Sequence, residues 1–268
     1  MRAALVLCFH SGNARDYLVL PEVLARARAR RIAIVPLLQL VIALREGRTH
    51  ELPEQFCCLS FDDGQDMDFV DVKHPTHGAQ PSFARIMREA EAADPGSLIH
   101  ATSFVIASPL ARAQIQEKEM LGYPWMSDRW WSAAVASARF HIASHSYDHL
   151  SVSADPVKQR QNVRADFSSI DSYADANWQI RKARELIEFI CPNPGVAAGN
   201  ALFAYPYGHT SRYLLEEYWS NYPHEHGTIG AFTCEPALVT PATACFAIPR
   251  MVLGMHWQTP DELPILGR

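Results

Sequence analysis

Several things are scarce in this 268-residue chain, and each scarcity removes a class of protein. Basic residues are not in excess: Lys+Arg 24 against Asp+Glu 29 gives a net charge of -5 with histidines neutral. A surface without positive charge argues against nonspecific binding of nucleic acid or anionic membrane, so no nucleic-acid partner is expected. The six cysteines include no C-x-x-C pair. That excludes a dense disulfide scaffold and predicts buried free thiols in a reducing compartment. No apolar run is long enough to cross a bilayer, since Ile32 to Leu44 is interrupted by Pro36 and Gln39. The start, Met1-Arg2 and then Ala3 to Phe9, is shorter than a signal peptide's usual apolar region and no A-x-A site follows. A cytoplasmic location is therefore expected, with no membrane span. Internal repeats, low-complexity stretches and charge blocks are also absent, and 48% of residues are hydrophobic, which excludes wholesale disorder.

What remains is an alternation of short apolar runs and amphipathic segments, the rhythm of βα units with a parallel sheet. Strands are predicted at Ala3–Phe9, Ile32–Pro36, Phe56–Phe61, His100–Ile106, Phe140–Ala143, Ala201–Tyr205, Gly230–Thr233 and Cys245–Ile248. Helices are predicted near Pro21–Arg30, Leu37–Arg45, Ser82–Ala93, Asp128–Ser137, Ala176–Ile190 and Ser211–Trp219. Residues able to do chemistry recur just after strands, on the carboxyl-terminal edge where α/β folds build their sites.

Three such places matter. Phe61-Asp62-Asp63-Gly64 ends a strand with adjacent carboxylates, which repel unless a cation lies between them. Read alone, Asp-Asp-Gly is more often a turn whose acids cap the next helix. His145-Ser146-Tyr147-Asp148-His149 sets two imidazoles four apart, on one helical face or in a tight turn, able to hold one divalent ion. Ser146 stands where an H-E-x-x-H zinc protease has its glutamate, so that mechanism is not expected. Asp63 is the obvious third ligand. Phe203 to Gly208 is a strand followed by a Pro-containing turn, and such a turn can aim a backbone N–H at a reacting oxygen.

In this order, the three motifs resemble those of the polysaccharide deacetylase (NodB-homology, carbohydrate esterase) family. Ser60 to Gly64 is similar to its T-F-D-D-G motif, His145 to His149 to its H-S/T-x-x-H, and Ala204 to Gly208 to its R-x-P-Y/F-Gly. Ala101 to Val105 and Ile142 to His145 resemble connecting strands of the family. Leu7-Cys8-Phe9-His10 and Ala204-Tyr205-Pro206-Tyr207-Gly208 look like the subgroup that deacetylates poly-N-acetylglucosamine. The likeness spans nearly the whole chain, and three converging motifs favour one catalytic domain over 1–268.

The resemblance implies an α/β fold, a distorted (β/α) barrel, and a metal-dependent hydrolase removing an N-acetyl or other N-acyl group from an amino sugar in a glycan or glycan precursor. It implies Asp63, His145 and His149 as metal ligands and Asp62 as the base acting on metal-activated water. Tyr207, following Pro206, would donate its backbone N–H to the oxyanion. The ion would be Zn²⁺, with Co²⁺ or Ni²⁺ as alternatives. Two departures are specific to this chain. The arginine that opens the third motif is replaced by Ala204, and Arg250, after Ile248-Pro249, is the expected substitute. The family's late L-x-H, which supplies the acid, is matched by Leu253-Gly254-Met255-His256 with one residue extra. His256, His10 on the first strand, or water is the candidate acid. The stretch after Gly64, with Asp66, Asp68, Asp71, His74 and His77, reads as a second metal site or a solvated, substrate-selecting loop. Tyr123, Trp125, Trp130 and Trp131 could stack on sugars, although packing is expected for the last two. A related amidase acting on a small non-glycan amide, and a non-catalytic glycan-binding scaffold, remain alternatives.

Overall fold

The computed structural model describes residues 1–94, 98–155, 162–193, 199 and 201–267. Its main sheet is built from apolar runs that are buried on both faces, as parallel strands in α/β proteins are. In chain order these are β1 (Ala3–Phe9), β2 (Ala33–Ile34) and β3 (Gln55–Phe61), with helices α1 (Ala14–Ala29) and α2 (Leu37–Arg45) between them. A small antiparallel hairpin, β4 (Val72–His74) and β5 (Gly78–Gln80), interrupts the alternation before α3 (Phe83–Ala92). Then come β6 (Ala101–Val105), α4 (Pro109–Glu119), α5 (Trp131–Ala136), β7 (Phe140–Ser144), α6 (Tyr173–Ala176), α7 (Lys182–Ile190), β8 (Ala201–Ala204), β9 (Thr228–Phe232) and β10 (Met251–Val252). The strands pair in the order β10-β1-β3-β6-β7-β8-β9, all parallel, with β2 added beside β3.

This curled half-barrel is the distorted (β/α) barrel expected. A parallel bridge from Phe232 to Ile248 ties the segment leading into β10 to β9 across the opening. Alternation along β1 makes the two sides. Leu5, Leu7 and Phe9 pack outward with Val23 and Leu24 of α1 and Phe83 of α3. Ala4 and Val6 face inward with Phe56, Phe104, Phe232 and Leu40 of α2. Each fully buried Leu, Val or Phe contributes roughly 1.5–3 kcal/mol relative to exposure.

Several boundaries differ from the sequence expectation. Helix α1 begins at Ala14 rather than near Pro21 and carries Pro21 in its interior, forgoing one i→i−4 bond. Cys245–Ile248 forms no strand: Cys245 accepts from Ala231 N–H and Ile248 makes the single bridge, while Met251–Val252 is the strand. Helix α4 was not foreseen, because its apolar pattern is weak; Ser108 caps it through the Ala111 N–H and Pro109 starts it. The six cysteines are free thiols, Cys8, Cys57, Cys58 and Cys191 buried. Trp130 and Trp131 are buried packing residues, as expected. Among the described residues no helix is long and apolar enough to cross a membrane.

One glycine fixes how the chain leaves β3. Gly64 has φ +69°, and a Cβ there would come within 2.8 Å of the Val105 backbone. Gly64→Ala should therefore lower unfolding free energy by about 2–4 kcal/mol in urea titrations; an unchanged midpoint would contradict this packing.

Candidate metal centre

The site is assembled at the carboxyl ends of β3, β7 and β8. Asp62 and Asp63 directly follow β3, and the Asp62 N–H extends the ladder by donating to Phe9 O at 3.0 Å. His145 follows β7, its N–H donating to Val105 O at 2.9 Å. The next turn is tight rather than helical. Ser146 and His149 take φ +70° and +61°, and Ser146 Oγ accepts the His149 N–H at 2.9 Å. Asp63 and Tyr207 are likewise left-handed, at +71° and +60°. Such conformations cost a non-glycine residue of order 1 kcal/mol or more and cluster at functional sites.

These turns bring Asp63, His145 and His149 together, one potential ligand atom of each lying within 4.8 Å of the others. The two imidazole Nε2 atoms are 3.2 Å apart, and Asp63 Oδ1 is 3.9 Å from His145 Nε2 and 3.8 Å from His149 Nε2. Tetrahedral bonds of 2.0–2.2 Å put donors about 3.4 Å apart, so the cluster has the span of one ion. Tautomers agree as well. His145 Nδ1 donates to Ala204 O at 2.9 Å, which leaves the Nε2 lone pair facing the cluster, the usual outer-shell device of a metal-binding histidine. His149 Nδ1 meets the Tyr207 hydroxyl at 3.2 Å. Burial pushes both imidazoles down to about 4, with His145 adding to the effect on His149, so both are neutral ligands at ordinary pH. The residues fit a divalent cation.

Beside this cluster lies a fully buried ion pair. Arg250 donates to both carboxylate oxygens of Asp62, at 2.6 and 2.8 Å, and is itself 0% exposed. Its Nε bonds Thr233 O, Nη1 also reaches Ser60 Oγ, and its plane lies over the Phe104 ring. Arg250 is thus a buried partner of Asp62, not a surface ion pair. Burial alone would raise the Asp62 carboxyl, but Arg250, with His145 and His10 adding to it, holds Asp62 well below the usual carboxylate range. Asp62 Oδ2 is 3.7 Å from His145 Nε2. His10 reaches the same corner, one of its ring nitrogens within 4.8 Å of an Asp62 oxygen and of Cys8 Sγ. His256 lies beyond β10, its Nδ1 accepting the Val252 N–H. Among the described residues no hydrogen bond, ion pair or ring contact links His256 to Asp62, Asp63, His145 or His149.

Among the described residues the polar stretch after Gly64 contributes to no second convergent ligand group, and its side chains bond within the fold. Asp66 holds Ser127, Asp71 accepts from Ser82 N–H at the start of α3, and His74 Nδ1 accepts from Thr76 and His77 in the β4–β5 turn. Asp68 is buried behind the site against Ser103, and burial pushes its carboxyl up to about 8. Sequence reasoning missed two supports: that neutral acid, and Asp148, which pins the histidine turn through Leu150 N–H, Gln179 and Arg164.

Solved structures share this arrangement of elements. The Streptococcus pyogenes deacetylase PplD, in complex with acetate, aligns over 99% of this chain and 98% of its own at a TM-score of 0.65 and 14% identity. IcaB from Ammonifex degensii aligns over 100% and 96% at 0.62 and 20% identity, and the BpsB deacetylase domain from Bordetella bronchiseptica over 94% and 96% at 0.59 and 17%. The fold is that of the polysaccharide deacetylases. No protein-family model matches the chain, and no curated protein matches it by sequence. The deacetylase fold is therefore carried here at low sequence identity to these structures.

Two outcomes follow from the geometry. Arg250→Ala leaves Asp62 buried without a partner, which should cost about 3–5 kcal/mol of stability in chemical denaturation. Arg250→Lys should recover only part, because a point charge does not reproduce the two-pronged contact. Second, because both imidazoles already sit near 4, Zn²⁺ affinity measured by chelator competition should change less than about twofold between pH 7.5 and 5.5. Two histidines at the ordinary value of about 6.5 would lose about 100-fold over that range as protons compete.

Proposed function

We propose that this chain is a metal-dependent N-deacetylase that hydrolyses the N-acyl group of an amino sugar in a glycan or glycan precursor, with residues 1–268 working as one catalytic domain. The observation that carries the reading is the juxtaposition of an Asp63/His145/His149 cluster with a second carboxylate, Asp62, locked by Arg250. Three convergent ligand atoms beside the locked carboxylate are more than a structural ion pair requires. The deacetylase fold of the neighbours, and the acetate bound to one of them, support the same reading.

Asp63, His145 and His149 would hold the cation, most simply Zn²⁺ given the nitrogen and carboxylate donors. When bound, the ion supplies Lewis acidity to the acyl oxygen and to a water. Asp62 Oδ2 faces the cluster and takes the proton from the attacking water. Arg250 fixes that carboxylate's orientation and lowers its proton affinity, so the proton does not rest there. His10 is the adjacent imidazole and is the group assigned to deliver a proton to the departing amine, in preference to His256. Tyr207, held left-handed between Pro206 and Gly208, is assigned the backbone N–H that steadies the developing oxyanion.

The test is amine release from a panel of N-acetylated saccharides with added Zn²⁺ or Co²⁺. Asp62→Asn should retain the metal while losing turnover by at least about 10²-fold, and His145→Ala should lose both metal and turnover. Metal binding without turnover of any saccharide, but with cleavage of a small acyl amide, would replace the glycan reading with the amidase one.

A further inference from the structure

The amino-terminal end of the sheet, away from the metal cluster, carries polar groups that the fold leaves unsatisfied. His141 on β7 pairs with Thr102 on β6, and His100 stands two residues before Thr102. Strand alternation therefore puts all three on the inner face, with Phe104 and Ala143. His141 is 5% exposed and Thr102 is sealed. Among the described residues neither imidazole makes a hydrogen bond, and Nδ1 of each ring and the Thr102 hydroxyl are buried without a partner. Native folds keep few such atoms, because each forfeits its hydration for nothing. Three on one face of two neighbouring strands point to an occupant beside them.

A cavity of about 910 Å³ lies there, within the range of small-ligand pockets of about 300–1,000 Å³. Both imidazoles line it, and with Nδ1 sealed, Nε2 is the nitrogen that each can present. Burial pushes the rings down, His100 to about 4 and His141 to about 3, with His100 adding to the effect on His141, so both are neutral. Most of the remaining wall is apolar, including Leu38 and Ile42 of α2 and Val135 of α5. The two charged residues of the lining, Arg48 and Glu51, bond each other at 2.7 Å, and Arg48 also bonds Glu46.

These features narrow the chemistry of the occupant. A phosphate finds no unpaired cation, and the hydroxyls of a sugar would face an apolar wall. A bare metal ion is unsuited, because among the described residues no third donor converges with the two rings. A neutral imidazole donates or accepts at Nε2, so the pair can receive a group that carries one proton and free lone pairs. A carboxyl group is such a group. Wherever its proton sits among the three, no net charge is buried.

We propose that His100 and His141 anchor the carboxyl group of an apolar monocarboxylic acid whose chain lies against α2 in this cavity. The site is independent of the deacetylase reading, since Asp62, Asp63, His145 and His149 are not part of its lining.

The test is calorimetric titration of the full-length chain with octanoate and with 1-octanol, which has the same chain length and no carboxyl. Octanoate should bind at least about tenfold more tightly, and His141→Leu or His100→Leu should bring the two within about threefold. Each Leu variant should unfold at no lower a urea concentration than the unmodified chain, because it removes unpaired polar atoms from apolar surroundings. Equal binding of octanoate and octanol, no binding of octanoate, or a preference for octanoate that survives both substitutions would overturn the site. So would a lower urea midpoint in both variants, which would mean that the rings are satisfied within the fold, or a Zn²⁺ equivalent that His141→Leu removes, which would make the pair an ion site. Amine release from N-acetylated saccharides is measured separately, so failure of octanoate to bind leaves the deacetylase reading standing.

Discussion

The buried pair of Asp62 and Arg250 is the constraint around which the rest of the molecule is arranged. Two charges at zero or near-zero exposure are costly to desolvate, and only a two-pronged contact with further hydrogen bonds offsets that cost. The fold supplies two such bonds, from Ser60 on β3 and Thr233 after β9, and sets the Phe104 ring of β6 against the guanidinium. An α/β barrel can do this because its strands end side by side, so that residues distant in sequence share one edge. The half-barrel is held shut at the same place, since Ile248 bridges to Phe232 two residues before Arg250.

Around that pair the backbone is bent against its preferences. Asp63, Ser146, His149 and Tyr207 are all left-handed without being glycine. Their side chains take part in holding it, as Ser146 Oγ does by accepting the His149 N–H, and Asp148 pins the same turn from outside. Pre-bent turns and burial-neutralised imidazoles both suit Asp63, His145 and His149 to hold one cation.

Much of this was legible in the sequence, and the reasons are specific. The parallel sheet was visible because strands buried on both faces are written as unbroken apolar runs, as in Ala3–Phe9 and Phe56–Phe61. The candidate ligand cluster was visible because Asp63 and His145 lie just past such runs and His149 four residues beyond His145. Arg250 could be suspected only because Ala204 left a charge unaccounted for in a recognised motif. By contrast, α1's early start was hidden by Pro21, which reads as a helix beginning although the helix tolerates it inside. His256 was favoured by motif spacing, but spacing along a loop does not fix where a ring points, and His10 is the imidazole brought to Asp62. The meeting of His74 with Trp125 joins residues about fifty apart in two irregular segments, and no local periodicity encodes such a contact.

The distance along the chain between the two members of the buried pair, 188 residues, also bears on how the molecule is made. Until residue 250 has emerged from the ribosome, the carboxylate at the end of β3 has no counter-charge to dry out with, so the first half of the sheet cannot close over it. Loop closure over so long a span is slow relative to local helix formation. A chain that stops short of residue 250 therefore carries Asp62 without the partner that offsets the cost of its burial.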